Sequence, residues 1–469
     1  MKFLVLLLVL LYAFPVKSQQ LSINLTEALN NLQNDKQFKH AIISMYIEET
    51  RTGKIILAQN AQTGLAPASC QKIITSTTAF ELLGKQYTYK TKMGYDGTIS
   101  KHTLNGNLYL IGYGDPTLGS WRWQKTKEET FIKNIISGLV ANDIKTINGD
   151  IVIDDSKWET QATPNGWVWE DVGNYYGAGA RGVNWHENQY DLILKPGKKT
   201  GDEVAIIATK PELNHVRFIN ELKTGKEGSG DNSIIYLPEN GEVAVVRGTV
   251  PAGNETFIVS GSIPNPPQLL AKIIEKILAT NKVAYSGYIK TRPDLAVDKK
   301  PILSQTRILQ TMLSPSFDSI NYWFLKKSIN LYGEALVKTI AYEKTGAGSA
   351  DSGIAIIKDF WSNRGIEKPA LKILDGSGLS PANRVTTTAL VTVLQYATKQ
   401  NWFASFYNSL PEINGIRMKD GYINGVRAYS GYVKCGNGKE YTFSFIINNF
   451  DGSAGTAREK MWKILDLLK

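Results

Sequence analysis

The sequence predicts an α+β fold in which a β-rich segment interrupts a mixed domain. Residues 41–58 show the pattern of two strands around a polar turn, and a helical pattern over about 69–83 follows them. Residues 89–265 contain short β-like runs separated by glycine, asparagine and proline turns, and helical periodicity returns at 267–280. Because strands and helices occur on both sides of the β-rich segment, we expect one mixed domain built from two parts of the chain.

The C-terminal part completes this predicted domain with helices and an antiparallel sheet. Two helical patterns flank Ser328, and a last helix is predicted over Ala457–Leu468. Between them, three segments are predicted to be antiparallel strands joined by turns at Gly425 and Gly438, each preceded by asparagine. Asparagine followed by glycine favours tight hairpin turns because both residues readily adopt positive φ angles.

These patterns divide the chain into a signal peptide at 1–18, a mixed domain at 19–88 and 266–469, and an insertion at 89–265 that forms two small modules. The 469 residues are 42% hydrophobic, which favours packed cores over disorder. The formal net charge of +10 favours contact with anionic envelope material, such as phospholipid heads or carboxylate-bearing cell-wall peptides. No nucleic-acid partner is predicted, and the sequence does not indicate an oligomeric state.

The first residues predict export. Lys2, an apolar run from Phe3 to Phe14 and small residues up to Ser18 form the pattern of a cleavable secretory signal. The apolar run is shorter than a bilayer span, so no transmembrane segment is predicted. We therefore expect a periplasmic or extracytoplasmic protein that is cleaved near Ser18.

The sparse cysteines and histidines argue against several kinds of site. Cys70 and Cys435 are the two cysteines, which allow one bridge at most and no disulfide scaffold. We interpret Cys70 as a packing residue. The four histidines lack the spacing of metal ligands, so neither a zinc site nor any other metal or cofactor is predicted. The absence of a plausible histidine base also disfavours a Ser-His-Asp triad.

Ser69 and Lys72 are the first candidate catalytic pair. They are three residues apart at a predicted helix start, so they share one face of the helix. A partly desolvated lysine can take a serine proton without histidine, and free N–H groups at a helix start suit a developing oxyanion. By itself the spacing of the pair is more typical of an N-cap serine followed by a solvated lysine.

Two further motifs carry candidate residues. Ser328 and Asn330 lie at the break between two helical patterns, where a serine can pass protons and an asparagine can hold a substrate amide. The alternative is that Ser328 caps the second helix. Lys419 and Gly421 lie on a predicted strand along which a substrate backbone can bind beside a positive charge. The alternative is an exposed edge strand with charged residues.

The order of the three motifs is more specific than any one of them. Ser-x-x-Lys on a helix, Ser-x-Asn between helices and Lys-x-Gly on a strand is the layout of serine β-lactamases and penicillin-binding proteins. The chain resembles one branch, the class C low-molecular-mass penicillin-binding proteins, or D-Ala-D-Ala carboxypeptidase/endopeptidase family, which carries a long insertion between the first two motifs. Further segments that resemble this branch are L-I-G-Y-G-D-P-T-L (110–118), G-D-I-V-I-D-D-S (149–156), G-W-V-W-E-D-V-G-N-Y-Y (166–176) and L-D-G-S-G-L-S-P-A-N-R-V-T (374–386).

The resemblance implies the serine β-lactamase/penicillin-binding (DD-peptidase) fold and an acyl-enzyme mechanism. Ser69 would attack the carbonyl between two D-residues of a peptidoglycan stem peptide, with Lys72 as the base. Ser328 and Lys419 would relay a proton to the leaving amine, and Asn330 would hold the acyl side. No metal or organic cofactor is implied, and β-lactams are implied as acylating inhibitors.

The resemblance also implies that Asp420, Gly421 and Tyr422 bind substrate, and that the N–H groups of Ser69 and Tyr422 form the oxyanion hole. Family members usually carry Thr or Ser at position 420, whose hydroxyl binds the substrate's terminal carboxylate. An ionised Asp420 cannot donate a hydrogen bond and repels a carboxylate at short range. The departure therefore bears on which substrate is accepted.

Three explanations of Asp420 stay open at this point. A cation, Arg417 or Arg427, neutralises the aspartate; the substrate lacks a free carboxylate or presents an amine; or turnover is weak or absent. The leading function is an exported serine DD-peptidase, a carboxypeptidase or endopeptidase that cleaves D-Ala-D-Ala or D-Ala-diamino-acid bonds. The alternative is a catalytically weak or inactive peptidoglycan-binding or scaffold protein. A β-lactamase is a third hypothesis, against which the long insertion argues.

Overall fold

The computed structural model describes residues 20–299, 306–436 and 438–469, so the predicted signal peptide at 1–18 lies outside the described residues. The α-helices of the described chain are α1 (20–33), α2 (Lys72–Leu82), α3 (Glu128–Ala141), α4 (Trp169–Val172), α5 (Pro266–Thr280), α6 (Arg292–Val297), α7 (Phe317–Lys326), α8 (Asn330–Thr345), α9 (Ala350–Ser362), α10 (Thr387–Thr398), α11 (Phe403–Ser409) and α12 (Ala454–Leu465). Across these three ranges, no helix is both long and apolar enough to cross a bilayer.

The β-strands, numbered in the same way, are β1 (Ile42–Glu49), β2 (Ile55–Gln59), β3 (Lys90–Tyr95), β4 (Thr98–Ser100), β5 (Thr103–Asn105), β6 (Leu108–Gly112), β7 (Thr146–Asn148), β8 (Ile151–Asp154), β9 (Gln189–Lys195), β10 (Ala205–Lys210), β11 (Arg217–Gly225), β12 (Asn232–Tyr236), β13 (Val243–Pro251), β14 (Phe257–Ser262), β15 (Ala284–Tyr285), β16 (Ile289–Thr291), β17 (Arg307–Leu313), β18 (Leu371–Lys372), β19 (Arg384–Val385), β20 (Glu412–Ile413), β21 (Ile416–Ile423), β22 (Val426–Lys434) and β23 (Glu440–Asn448). The three predicted C-terminal strands are confirmed as β21, β22 and β23, and the helices predicted around Ser328 are confirmed as α7 and α8.

The chain divides into two compact units. The first comprises the described residues up to Leu82 together with Asn321–Ser328 and Ile354–Lys469, and the second comprises those of Leu83–Ile320 and Ile329–Gly353. These units do not follow the predicted boundaries, because the described residues of 266–320, together with Ile329–Gly353, group with the second unit rather than with the C-terminal part. The division into an interrupted domain and an insertion of two modules stays a prediction.

The first unit is built on a six-stranded antiparallel sheet of order β2-β1-β23-β22-β21-β20. Alternation along β1 sends Ile43, Met45 and Ile47 to one face, where they pack in a buried cluster with residues of α1 and α12. The opposite face meets α10, where Ser44 Oγ lies 2.8 Å from Thr387 Oγ1. The sheet is therefore covered on both faces, which explains why its central strands β22 and β23 are buried along nearly their whole length.

Helix α2, which follows the Ser-x-x-Lys serine, is buried along most of its length, from Lys72 to Phe80. Its hydroxyl groups are satisfied inside the first unit. Ser76 Oγ donates to Asn321 Oδ1 at 2.6 Å, and Thr78 Oγ1 donates to the carbonyl oxygen of Ile74 at 2.7 Å. A helix with so many buried polar side chains is tolerated because each hydroxyl finds an acceptor.

The second unit contains four sheets, whose strand orders are β16-β8-β6-β3-β17, β15-β7-β5-β4, β10-β9-β14 and β11-β13-β12. One cluster of buried apolar residues between Met93 and Met312 draws on all four sheets and on α5. The prediction of β-rich character for this part of the chain agrees with these sheets. Helix α3 was not predicted, although Phe131, Ile135 and Leu139 are buried at the four-residue spacing of a helix face.

Candidate active site

The start of α2 brings Ser69 and Lys72 into contact. A 3₁₀-helix over Ala68–Gln71 runs directly into α2, and Lys72 Nζ donates to Ser69 Oγ at 2.9 Å. Ser69 is partly exposed, whereas Lys72 is completely buried. Ala68, one residue before the serine, has a φ of 45°, which is strained for a residue with a side chain. This geometry presents the hydroxyl to solvent on one side and to a buried amine on the other.

A loop over residues 375–383 supplies a second partner to Lys72. Lys72 Nζ donates to the carbonyl oxygen of Ser377 at 2.8 Å. Two nearby residues bind the adjacent carbonyls: Gln71 Nε2, at the end of the 3₁₀-helix, donates to Asp375 O at 2.5 Å, and Thr75 Oγ1, on α2, donates to Gly376 O at 2.7 Å. Three consecutive carbonyl oxygens of the loop, those of residues 375–377, thus accept hydrogen bonds that hold the loop beside Lys72.

The carboxylate of Asp375 organises this loop from inside. Asp375 is completely buried and accepts hydrogen bonds from Gln71 Nε2 (2.8 Å), Gly378 N (2.8 Å), Ser380 N (2.7 Å) and Asn383 Nδ2 (2.9 Å). At Gly378, φ is +83° and a Cβ atom would lie 1.9 Å from Ala68 O, so only glycine fits beside the turn that carries Ser69. Sequence reasoning did not identify Asp375, although the segment 374–386 that contains it was singled out.

Strand β21 runs next to the turn that carries Ser69 in the first unit. At Gly421, a Cβ atom would come within 2.9 Å of Ser69 N and 2.7 Å of Pro67 O, so the absence of a side chain allows the close approach. Cys70 Sγ donates to the carbonyl oxygen of Lys419 at 3.3 Å and ties the same two elements together. The structure therefore brings Ser69 and Gly421 together. Tyr422 follows on the strand and is 52% exposed.

Lys419 and Asp420 form an ion pair. Lys419 Nζ donates to Asp420 Oδ1 at 2.9 Å and to Asp420 O at 2.7 Å. The Lys419 side chain is 1% exposed and the Asp420 side chain 39% exposed. Burial raises the pKa of Asp420, but the charge and hydrogen bond of Lys419 and the charge of Arg427 outweigh it, so this pKa lies below its ordinary value. Asp420 is therefore a carboxylate at neutral pH.

The two arginines proposed as partners of Asp420, Arg417 and Arg427, have different contacts. Arg427 stacks over the Tyr422 ring at 4.9 Å and contributes to the low pKa of Asp420. Arg417 instead binds Glu412 at 3.1 Å. Of the two, Arg427 therefore acts on Asp420, in addition to Lys419.

The second motif lies at the break between α7 and α8. Ser328 belongs to the first unit and is partly buried, with a φ of 57°. Asn330 begins α8 in the second unit, is buried, and donates from Nδ2 to Tyr176 O at 2.7 Å. Ser328 does not act as the N-cap of α8, because Ile329 occupies that position. The capping alternative for Ser328 is therefore wrong.

The first turn of α8 has a second anchor that sequence reasoning missed. Tyr332 OH donates to Glu187 Oε1 at 2.7 Å, and the same carboxylate receives Ser120 Oγ at 2.6 Å and Arg122 Nε at 2.8 Å. Glu187 is buried and has a φ of 53°, as part of three consecutive left-handed residues over 186–188. Such a run of positive φ values has no clear signature in the sequence, which explains why Glu187 was not identified.

The cysteines and histidines take no part in a metal site within the described ranges, where no group of three or more metal-ligating side chains occurs. Cys70 and Cys435 are both free thiols. Cys70 is completely buried, and burial raises the pKa of its thiol to about 12. The interpretation of Cys70 as a packing residue agrees with this burial.

Comparisons with known proteins match this architecture over nearly the whole chain. The model of the D-Ala-D-Ala carboxypeptidase 3 (S13) family matches residues 25–467. A D-alanyl-D-alanine carboxypeptidase of Actinomadura sp. (strain R39) is 26% identical over 461 residues, covering 92% of this chain and 82% of the relative. D-alanyl-D-alanine carboxypeptidase DacB of Haemophilus influenzae is 24% identical over 419 residues, covering 85% of this chain and 83% of the relative.

Solved structures confirm the predicted fold. The crystal structure of penicillin binding protein 4 (dacB) from Haemophilus influenzae superposes with a TM-score of 0.78 at 21% identity, covering 94% of this chain and 97% of that one. The structure of the same protein complexed with a novel β-lactam gives a TM-score of 0.75 at 20% identity, covering 95% and 99%. The resemblance inferred from the motifs is thereby confirmed, and the chain belongs to the D-Ala-D-Ala carboxypeptidase 3 (S13) family of peptidases.

Proposed function

We propose that this protein is an exported serine DD-peptidase that cleaves D-Ala-D-Ala or D-Ala-diamino-acid bonds of peptidoglycan stem peptides through an acyl-enzyme. The observation that carries the proposal is the 2.9 Å contact between Lys72 Nζ and Ser69 Oγ at a turn lined by Gly421. Membership of the S13 family supports the substrate class. The proposal of export, to a periplasmic or extracytoplasmic location, rests on the pattern of residues 1–18.

In the first half of the reaction, Ser69 Oγ forms a bond to the carbonyl carbon of a D-alanine, and Lys72 Nζ takes the hydroxyl proton. The carbonyl of Ser377 accepts from Lys72 and thereby orients the amine toward the serine. The N–H groups of Ser69 and Tyr422 stabilise the oxyanion. The carbon–nitrogen bond then breaks as the leaving amine receives the proton that Lys72 took, relayed by Ser328 with Lys419, so that Lys72 is again neutral; Asn330 holds the acyl side.

In the second half, water attacks the ester between Ser69 and the acyl group, and Lys72 takes a proton from that water. The ester bond breaks and Ser69 regains its proton, which restores the free enzyme. No step needs a metal or an organic cofactor. A β-lactam would acylate Ser69 by the same first half.

The test is release of D-alanine from an N-acyl-L-Lys-D-Ala-D-Ala peptide, together with intact-mass detection of an acyl adduct. We expect both for the wild type and neither for Ser69→Ala. An N-acyl-D-alanyl thioester with a neutral thiol leaving group serves as a second acylating probe, because it carries no carboxylate beside the leaving atom. If neither reagent modifies or is turned over by the wild type, the proposal is wrong.

A second candidate function is a peptidoglycan-binding protein without efficient turnover. The observation that favours it is the Lys419–Asp420 ion pair, which occupies the position of the usual hydroxyl. It predicts that wild-type protein and Ser69→Ala bind isolated sacculi equally and that neither releases D-alanine or acylates. Turnover that depends on Ser69 would exclude it.

A further inference from the structure

The ion pair on β21 limits what Lys419 can offer a substrate. A lysine ammonium has three N–H donors. Two of them are directed at Asp420, one at its carboxylate oxygen (2.9 Å) and one at its carbonyl oxygen (2.7 Å). One donor is left for the substrate and for proton relay. A hydroxyl residue at position 420 would leave the lysine charge uncompensated and would add a donor of its own.

The ion pair also reduces the positive charge that Lys419 presents to a substrate. The Lys419–Asp420 pair has no net charge, because the ammonium of Lys419 keeps the Asp420 carboxylate ionised in spite of its burial. Arg427 adds positive charge nearby, but it is stacked on the Tyr422 ring. A substrate carboxylate that approaches Lys419 therefore meets a second carboxylate within hydrogen-bond reach of the same ammonium.

The position of Asp420 makes this charge relevant to the scissile bond. Gly421, the next residue, lies against Ser69 N, so Asp420 is one residue from the contact between β21 and the turn that carries Ser69. Its side chain is 39% exposed, so part of the carboxylate faces solvent rather than the core. An exposed carboxylate beside a peptide-binding strand accepts hydrogen bonds from N–H groups and repels other carboxylates.

We propose that Asp420 makes this enzyme select scissile bonds whose leaving group has no free α-carboxylate beside the amine. The preferred leaving groups are a C-terminally amidated D-residue, whose amide N–H groups can donate to Asp420, and a lysine-type side-chain amine in a cross-link, whose carbon bears no carboxylate. A free terminal D-alanine is a poorer leaving group for this site. The inference rests on the proposed function, since it concerns the substrate of the same reaction.

Three matched peptides test the inference on the full-length protein. The first ends in D-Ala-D-Ala, the second is its C-terminal amide, and in the third the penultimate D-alanine acylates the side-chain amine of a lysine. We expect the wild-type kcat/KM for the second and third peptides to exceed that for the first by at least about tenfold, because unmatched charges in a binding site discriminate by one or more factors of ten. In Asp420→Thr the preference should reverse.

Asp420→Asn separates charge from size, because it keeps the shape and supplies an amide donor; its preference should fall between those of wild type and Asp420→Thr. Asp451→Asn removes a negative charge from an exposed loop and should leave the wild-type ratio unchanged. Melting temperatures establish that each variant folds. A wild-type preference for the free acid, or one ratio shared by wild type and Asp420→Thr, overturns the inference while leaving the DD-peptidase proposal intact.

Failure of the proposed function has a different outcome. If the wild type cleaves none of the three peptides and forms no adduct with the neutral thioester, both the DD-peptidase proposal and this inference are rejected. The rate of acylation by penicillin is an independent measurement, because penicillin carries a carboxylate next to the reacting ring. We expect Asp420→Thr to be acylated by penicillin at least about tenfold faster than the wild type, on the same charge argument. Equal acylation rates for the wild type and Asp420→Thr would contradict the inference about Asp420.

Discussion

The two compact units each contain a fully buried lysine, and the surroundings of the two lysines differ. Lys72, on α2, is 0% exposed and contacts the hydroxyl of Ser69 and the carbonyl of Ser377. Lys338, on α8, is 1% exposed and binds the Glu159 carboxylate at 3.2 Å, with a further bond to Ala180 O at 3.1 Å. Burial lowers the pKa of Lys338, although neighbouring glutamates, Glu159 first among them, oppose the shift.

The difference separates a lysine that is paired with a carboxylate from one that contacts a serine hydroxyl. The carboxylate of Glu159 holds Lys338 in place, and the Lys338 ammonium also donates to the backbone carbonyl of Ala180 in the second unit. The contacts of Lys72 with Ser69 and Ser377 are to neutral oxygens, one of which carries a transferable proton. Burial of a lysine is therefore not itself a sign of catalysis, and the partner atoms decide the role.

The largest effect should follow from Lys72→Arg, which keeps the positive charge but removes the ability to take a proton. We expect the rate constant for acylation of Ser69 to fall about a thousandfold, as is typical when a general base is lost. Intact-mass kinetics with the neutral thioester measure it. The control is Lys372→Arg at an exposed position. Acylation of Lys72→Arg at the wild-type rate would remove the distinction between the two lysines.

The next effect should come from Lys338→Met and should be on stability rather than on chemistry. Removing one partner of a buried ion pair typically costs several kcal/mol, and because Glu159 is 29% exposed we expect a loss of about 2–4 kcal/mol in the free energy of unfolding. Urea denaturation measures this. The double variant Lys338→Met/Glu159→Gln should recover part of the loss. An unchanged unfolding curve for the single variant would show that the pair contributes nothing.

A smaller effect is expected for Asp375→Ala, which removes the acceptor of four hydrogen bonds in the loop that holds Ser377 against Lys72. We expect the acylation rate constant to fall about 10- to 100-fold with little change in KM, because small displacements of a catalytic group are costly. Asp375→Asn should recover only part of the rate, since its Nδ2 cannot accept from backbone N–H groups. A change in KM alone would show that the loop serves binding and does not position Lys72.

The sequence predicted the main residues of the candidate site better than it predicted the residues that hold them in place. Ser69 and Lys72 are three residues apart, so helix geometry alone places them together. The family resemblance placed Gly421 among the substrate-binding residues, and the structure shows that it lies close to Ser69 N. Asp375 and Glu187 were missed because each acts through contacts with residues distant in the chain, such as Gln71 and Tyr332.

Local patterns by themselves determined the strands β1, β2 and β21 to β23, the helices α5, α7 and α8, and the three motifs, because period and turn chemistry are local properties. They also raised the question of Asp420, through one residue that departs from a family pattern. Only the tertiary structure decided that Asp420 is bound by Lys419, that Arg417 has another partner, and that a buried loop orients Lys72. These contacts depend on which side chains meet across the fold, which chain-local patterns do not specify.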